Sequence, residues 1–296
     1  MIYVIFGPTC SQKSDISVTL SNFLNAPIIN ADAFQIYKDM NIGTAKVDID
    51  SPEYKKHYLL DIITPDQNYS VKEYQDIFRR TLSDLQKKYK DIIVCGGTGL
   101  YIKAAFYDYT FLEEEDDPSL VEELNKLTNE ELFSRLESLD LKACKKIHVN
   151  NRKRLIRALT IITKSTRTKS EIIDTQKHEL IYPKEEVEFL FINPPREILY
   201  ENINKRVDLM FDKGLVNEVI NLLKKYNLSL TARQGIGYKE VISYLNNQIS
   251  LEECKELIKK RTRNYAKRQV TFFKNQFKSR MFLSKNKLIS EVISHD

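Results

Sequence analysis

Three short apolar runs punctuate the first hundred residues, each stopping at a glycine or an acidic residue before a new segment begins. Residues 1–6 (MIYVIF) end at Gly7, residues 26–31 (APIINA) end at Asp32, and residues 91–95 (DIIVC) end at Gly96-Gly97. After Lys13, apolar residues at Ile16, Leu20, Phe23 and Leu24 repeat at helical spacing, and residues 71–89 predict a second helix. Strands alternating with helices specify a parallel α/β sheet, and such sheets gather ligands beyond the carboxyl ends of their strands. The rhythm breaks at about residue 113, where amphipathic helical stretches run to about 177, and a strand returns at 187–193 (VEFLFIN). The tail from Leu251 reads as helix, with Ala266, Val270, Phe273 and Phe277 on one apolar stripe. The expectation is an α/β fold resembling the P-loop NTPase core, with a parallel sheet built from residues 1–112 and 186–296. An all-helical domain, residues 113–185, is inserted into it.

The first strand runs into GPTCSQKS, residues 7–14, which fits the phosphate cradle G-x-x-x-x-G-K-[S/T] except that Gln12 replaces the second glycine. Such a loop aims backbone N–H groups and a helix dipole at a phosphate. Lys13 reaches phosphate oxygens in this pattern, and Ser14 offers a hydroxyl to Mg²⁺. A left-handed non-glycine residue costs about 1–2 kcal/mol, which weakens the cradle without forbidding it. Taken alone, the loop is as readily an ordinary strand-to-helix turn.

Asp32, at the end of the second strand, suits a general base or a metal ligand, and equally a turn residue. Residues 95–101 (CGGTGLY) form a second glycine-rich turn, and Arg233 precedes a glycine pair in ARQGIGYKE. An arginine beside a diphosphate forms charge-assisted bonds that lysine does not copy. The net charge of +5 is modest but segregated. Residues 141–170 hold ten Lys/Arg and no acid, residues 259–280 hold nine and no acid, and 113–117 is an acidic run. On helical geometry, Leu155, Leu159 and Ile162 share one side while Lys153 and Arg157 face the other. Two acid-free blocks make a polyanion the leading partner class. Four scattered cysteines without a C-x-x-C pair argue against a disulfide framework or zinc site and read as core thiols. No apolar run approaches the roughly 20 residues of a membrane span, and the start lacks a signal-peptide pattern, which points to the cytoplasm.

Taken in series, GPTCSQKS, NADAFQIYKDMNIGTAK, YLLDIITPDQNYSVKEY, CGGTGLYIKA, KKIHVNNRKRLIRAL, RVDLMFDKGLVNEV, ARQGIGYKE and RTRNYAKRQVTFFKNQ resemble the bacterial type of the tRNA dimethylallyltransferase (tRNA isopentenyltransferase) family. The resemblance covers nearly the whole chain, from Gly7 to about Gln276. It implies transfer of a dimethylallyl group from dimethylallyl diphosphate to the N6 amine of the adenosine just 3′ of a tRNA anticodon, assisted by Mg²⁺. The cradle, Gly7, Pro8, Thr9, Cys10, Ser11, Gln12, Lys13 and Ser14, would then hold the prenyl diphosphate rather than ATP, with Ser14 on the metal. By position, Asp32 resembles the family's general base, Thr9 its loop threonine and Arg233 its catalytic arginine. Contacts to tRNA are implied for Asp32, Ala33, Phe34, Gln35 and Thr98. The same holds for Lys153, Arg154, Leu155, Ile156 and Arg157, and for Asn264, Tyr265, Ala266, Lys267, Arg268 and Gln269. A monomer with no membrane partner is expected. Two departures stand out: Gln12 for the loop glycine, and Ala33-Phe34 where the family carries serine and frequently a polar residue. The competing readings are a catalytically impaired tRNA-binding relative and a small-molecule kinase.

Overall fold

The structure is a computed structural model that describes residues 1–109, 111, 118–164 and 179–295. It divides into two compact units, residues 1–106 with 180–296, and residues 107–179. The second unit is thus shifted from the expected 113–185. The chain re-enters the first unit at Leu180 and Ile181, where the Ile181 amide donates to Phe106 O.

The first unit is built on a six-stranded sheet: β1 (Ile2–Phe6), β2 (Ile28–Asn30), β3 (His57–Tyr58), β4 (Ile92–Gly96), β5 (Val187–Ile192) and β6 (Arg280–Phe282). The strand order is β3-β2-β4-β1-β5-β6 and every pairing is parallel. A parallel sheet is covered on both faces, so its central strands are continuous apolar runs. Every residue of β1 is buried, and the strand period of two sends alternate side chains to opposite layers. Tyr3 and Ile5 pack with Ile16 and Leu20 of α1 (Lys13–Leu24) and with Leu288 and Val292 near the C-terminus. On the other face Phe6 stacks on Phe191 at 5.5 Å and meets Phe273 and Phe277. Helices α2 (Val71–Gln86) and α3 (Gly99–Phe106) follow, the first opened by a Ser70–Glu73 capping box.

In the second unit, α4 (Pro118–Asn125), α5 (Asn129–Leu139), the short α6 (Leu141–Cys144) and α7 (Arg152–Lys164) enclose their own core of Leu124, Leu132, Leu136, Leu155 and Leu159. The acidic run 113–117 and residues 165–170 of the first basic block lie outside the described residues. The first unit continues after β5 with α8 (Arg196–Asp212), α9 (Leu215–Lys225), α10 (Leu230–Arg233), α11 (Tyr238–Leu245), the long α12 (Leu251–Gln276) and, after β6, α13 (Lys285–His295).

Candidate active site

The carboxyl ends of β1, β2 and β4 carry the loop at Gly7, the turn at Asp32 and the glycine turn at Gly97. At Gly7 a side chain is impossible, because a Cβ would lie 2.2 Å from Ile192 O of β5. The loop then bends through two left-handed non-glycine residues, Cys10 (φ 62°) and Gln12 (φ 66°). Gln12 therefore takes the backbone conformation that the missing glycine would have supplied. It is also the N-cap of α1, yet no side chain caps the first turn, so that turn presents N–H groups of the kind that bind anions. The Ser11 hydroxyl, 1% exposed, has no hydrogen-bond partner among the described residues. Lys13 Nζ donates to Pro8 O at 2.7 Å, and burial draws this ammonium below its ordinary pKa, opposed by Cys95 and Asp32.

Asp32 sits in a tight turn. Its amide donates to Asn30 Oδ1 at 3.1 Å, and its Oδ1 accepts the Phe34 amide at 2.9 Å. Oδ2 has no hydrogen bond among the described residues, and Thr98 Oγ1 braces the turn by accepting the Ala33 amide at 2.9 Å. Gln269 ties the pieces together from α12: its Oε1 accepts the Thr9 amide at 2.8 Å and its Nε2 donates to Gly97 O at 2.7 Å. Tyr265 stands one turn earlier, its hydroxyl pKa raised by burial and by the Asp32 carboxylate.

Two cavities meet here. One, about 520 Å³, is walled by Lys13, Ser14, Asn202, Lys205 and Arg206. The other, about 280 Å³, is walled largely by Ile203, Val207, Met210, Ile236 and Ile258. Thr9, Cys10, Asp32, Thr44, Arg206 and Tyr265 line both. The joint space is cationic at one end and apolar at the other, with a hydroxyl, a carboxylate and a guanidinium at the junction.

Several expected residues stand elsewhere than their motifs suggest. Arg233 is exposed at the end of the four-residue α10 and lines neither cavity. The arginine at the loop is Arg206 of α8, whose Nη1 donates to Thr9 Oγ1 at 3.2 Å and approaches Cys10 Sγ at 3.7 Å. Among the expected RNA contacts, Leu155 and Ala266 are wholly buried in helix–helix cores, Ile156 packs partly against the first of these, and Gln269 is the internal clamp described above. Lys153, Arg154 and Arg157 are exposed on α7, and Asn264, Lys267 and Arg268 on α12. The acid-free sequence of 259–280 does not mean unpaired charge, because acids from other segments answer it. Lys259 pairs with Asp208 and Glu256, Arg261 with Glu240, and Arg280 with Glu188 and Glu291. Arg152 likewise donates to Asn129, Leu124 O and Asn125 O. Of the four cysteines only Cys254 is buried, and Cys10 lines both cavities.

The edge of the parallel sheet thus combines an uncapped helix start with a space that is cationic at one end and apolar at the other. The IPP transferase family model matches residues 35–276, and the chain belongs to that family. It is 40% identical over 279 residues to the tRNA dimethylallyltransferase of Bacillus velezensis, covering 93% of this chain and 88% of the relative. It is 39% identical over 285 residues to the enzyme of the same name in Bacillus subtilis, covering 95% and 90%. Among solved structures, the tRNA delta(2)-isopentenylpyrophosphate transferase of Staphylococcus epidermidis is similar with a TM-score of 0.71 at 36% identity, over 99% of this chain and 97% of that one. A eukaryotic dimethylallyltransferase acting on tRNA gives a TM-score of 0.79 at 28% identity, over 92% and 69%. No helix among the described residues is long and apolar enough to cross a membrane.

Proposed function

We propose that this chain transfers a dimethylallyl group from dimethylallyl diphosphate to the N6 amine of the adenosine immediately 3′ of a tRNA anticodon. The observation that carries this reading is the junction of a cationic and an apolar cavity at Thr9, Asp32 and Arg206. A molecule with a diphosphate head and a short hydrocarbon tail fits that division, and the bond to be broken falls at the junction. The diphosphate would rest on the uncapped start of α1 with Lys13 and Arg206, and the tail among Ile203, Val207 and Met210. Because Arg206 donates to Thr9 Oγ1, the hydroxyl's own proton is left to donate to the oxygen linking diphosphate to the allyl carbon. The C–O electron pair leaves on that oxygen, where Thr9 and Arg206 meet the developing charge. The N6–C bond forms as the nitrogen's proton passes to Asp32 Oδ2.

Ser14, exposed in the first turn of α1, lines the larger cavity together with Asp15 and Asp32. That donor set suits Mg²⁺, which takes one or two protein ligands and completes its shell with phosphate oxygens and water. When bound, the ion would neutralise charge on the departing diphosphate. The exposed cations of α7 and α12 would take RNA phosphates. Labelled dimethylallyl diphosphate, Mg²⁺ and an anticodon stem-loop with adenosine 3′ of the anticodon test the proposal. The wild type is expected to transfer label. Asp32→Ala should bind the stem-loop nearly normally while turnover falls about 10²-fold or more. No transfer by the wild type to any A-rich anticodon loop at saturating donor would overturn the reading.

A further inference from the structure

We propose that Glu218 is a positioning residue for the prenyl donor, its carboxylate fixing the cavity wall formed by residues 41–44. The inference rests on the donor reading above. Glu218, in the first turn of α9, accepts the amides of three successive residues: Asn41 at 3.0 Å and Ile42 at 2.6 Å on Oε2, and Gly43 at 3.1 Å on Oε1. A fourth donor, the Tyr238 hydroxyl, reaches Oε1 at 2.8 Å. Successive amides that converge on one point form an anion-binding concavity, and here the protein fills it with its own carboxylate. The wall that results is tight, since a Cβ at Gly43 would lie 2.6 Å from the Tyr238 ring. Gly43, Thr44 and Tyr238 line the apolar cavity, and Thr44 lines the cationic one as well. The same apolar cavity is lined by Arg206, Val207 and Met210 of α8, and α8 is joined to α9 only through Lys213 and Gly214. Glu218 therefore locks the loop to the same helix pair that carries the guanidinium, setting the gap across which the donor lies.

Glutamine at 218 preserves size but places an NH₂ group against donors, and Tyr238→Phe removes one donor to Glu218 together with the hydroxyl oxygen that faces the Gly43 and Thr44 amides. Steady-state kinetics with dimethylallyl diphosphate and a stem-loop separate the outcomes, with wild-type transfer as the control that the donor reading holds. Glu218→Gln is expected to raise the donor KM about tenfold and Tyr238→Phe about threefold, with the RNA KM within about twofold of wild type. A purely structural role would lower the active fraction, and so apparent kcat, without moving the donor KM. A folded Glu218→Gln enzyme with wild-type donor KM would overturn the proposal. Should that variant fail to fold, an unchanged donor KM in Tyr238→Phe would do the same.

Discussion

Two loops wall the same pair of cavities and treat their own backbone in opposite ways. Among the described residues, 7–14 leave the first turn of α1 without a side-chain cap and the Ser11 hydroxyl without a partner. Residues 39–46 are saturated: Glu218 takes three amides, while Lys46 Nζ donates to Tyr37 O, Asn41 Oδ1 and Asp61 Oδ1. Both loops use left-handed non-glycine residues, Cys10 and Gln12 in one and Asp39 and Ala45 in the other. Backbone strain therefore does not distinguish them. What distinguishes them is whether the polar groups are already answered, because an unanswered set is a seat for a ligand and an answered set is a wall.

The lysines of the two loops provide the harshest test of this contrast. The side chain of Lys46 is 1% exposed and that of its partner Asp61 15%, with Tyr54 OH also on that carboxylate. Lys46→Ala strands a nearly buried aspartate and is expected to cost about 3–5 kcal/mol in urea unfolding. Lys13→Ala removes an ammonium that donates to the Pro8 carbonyl and pairs with no carboxylate among the described residues, so its stability should change by only about 1 kcal/mol. Equal losses would erase the distinction between wall and seat.

Next in size is the arginine. Arg206→Ala should lower kcat for transfer about 10²–10³-fold, the usual cost of removing a donor from developing negative charge. Arg233→Ala, lacking any place on either cavity, should stay within about threefold of wild type in the same assay. The reverse ranking would return the catalytic assignment to Arg233.

That ranking shows where sequence reading succeeds and where it stops. Strands β1, β2, β4 and β5 are legible because burial on both faces demands unbroken apolar runs. The edge strands β3, of two residues, and β6, with only Phe282 buried, carry no such pattern and exist only through their neighbours. Asp32 and the loop are legible because chemistry at strand ends is local in sequence. Arg206 opens the motif RVDLMFDKGLVNEV but lies in a helix amid Asn, Lys and Asp, and the approach of α8 to Thr9 is what gives it a place at the loop. Arg233 is marked in the sequence by the glycine pair that follows it, a signal of backbone shape rather than of a ligand. Leu155 and Ala266 are separable from their exposed polar and basic neighbours by helical periodicity, since each lies on the apolar stripe of its own helix. A segment-wise assignment ignores that. Gln269 gave no comparable signal, because a buried glutamine is recognised only by the two backbone groups it joins.

The smallest expected effect concerns Gln12, the residue that most disturbs the cradle pattern. Its φ of 66° and ψ of 20° already match what the loop requires, and its side chain is exposed. Glycine there would relieve the left-handed penalty of about 1–2 kcal/mol, offset by about 0.4–1 kcal/mol of added freedom in the unfolded chain. Gln12→Gly is thus expected to stabilise the protein by up to about 1.5 kcal/mol in urea unfolding. Because the amide directions change little, the donor KM should stay within about twofold of wild type. A loss of stability would mean that the Gln12 side chain contributes to the folded loop. A larger change in donor KM would mean that its carboxamide takes part in the seat itself, and the contrast between an open seat and a filled wall would then begin one residue later, at Lys13.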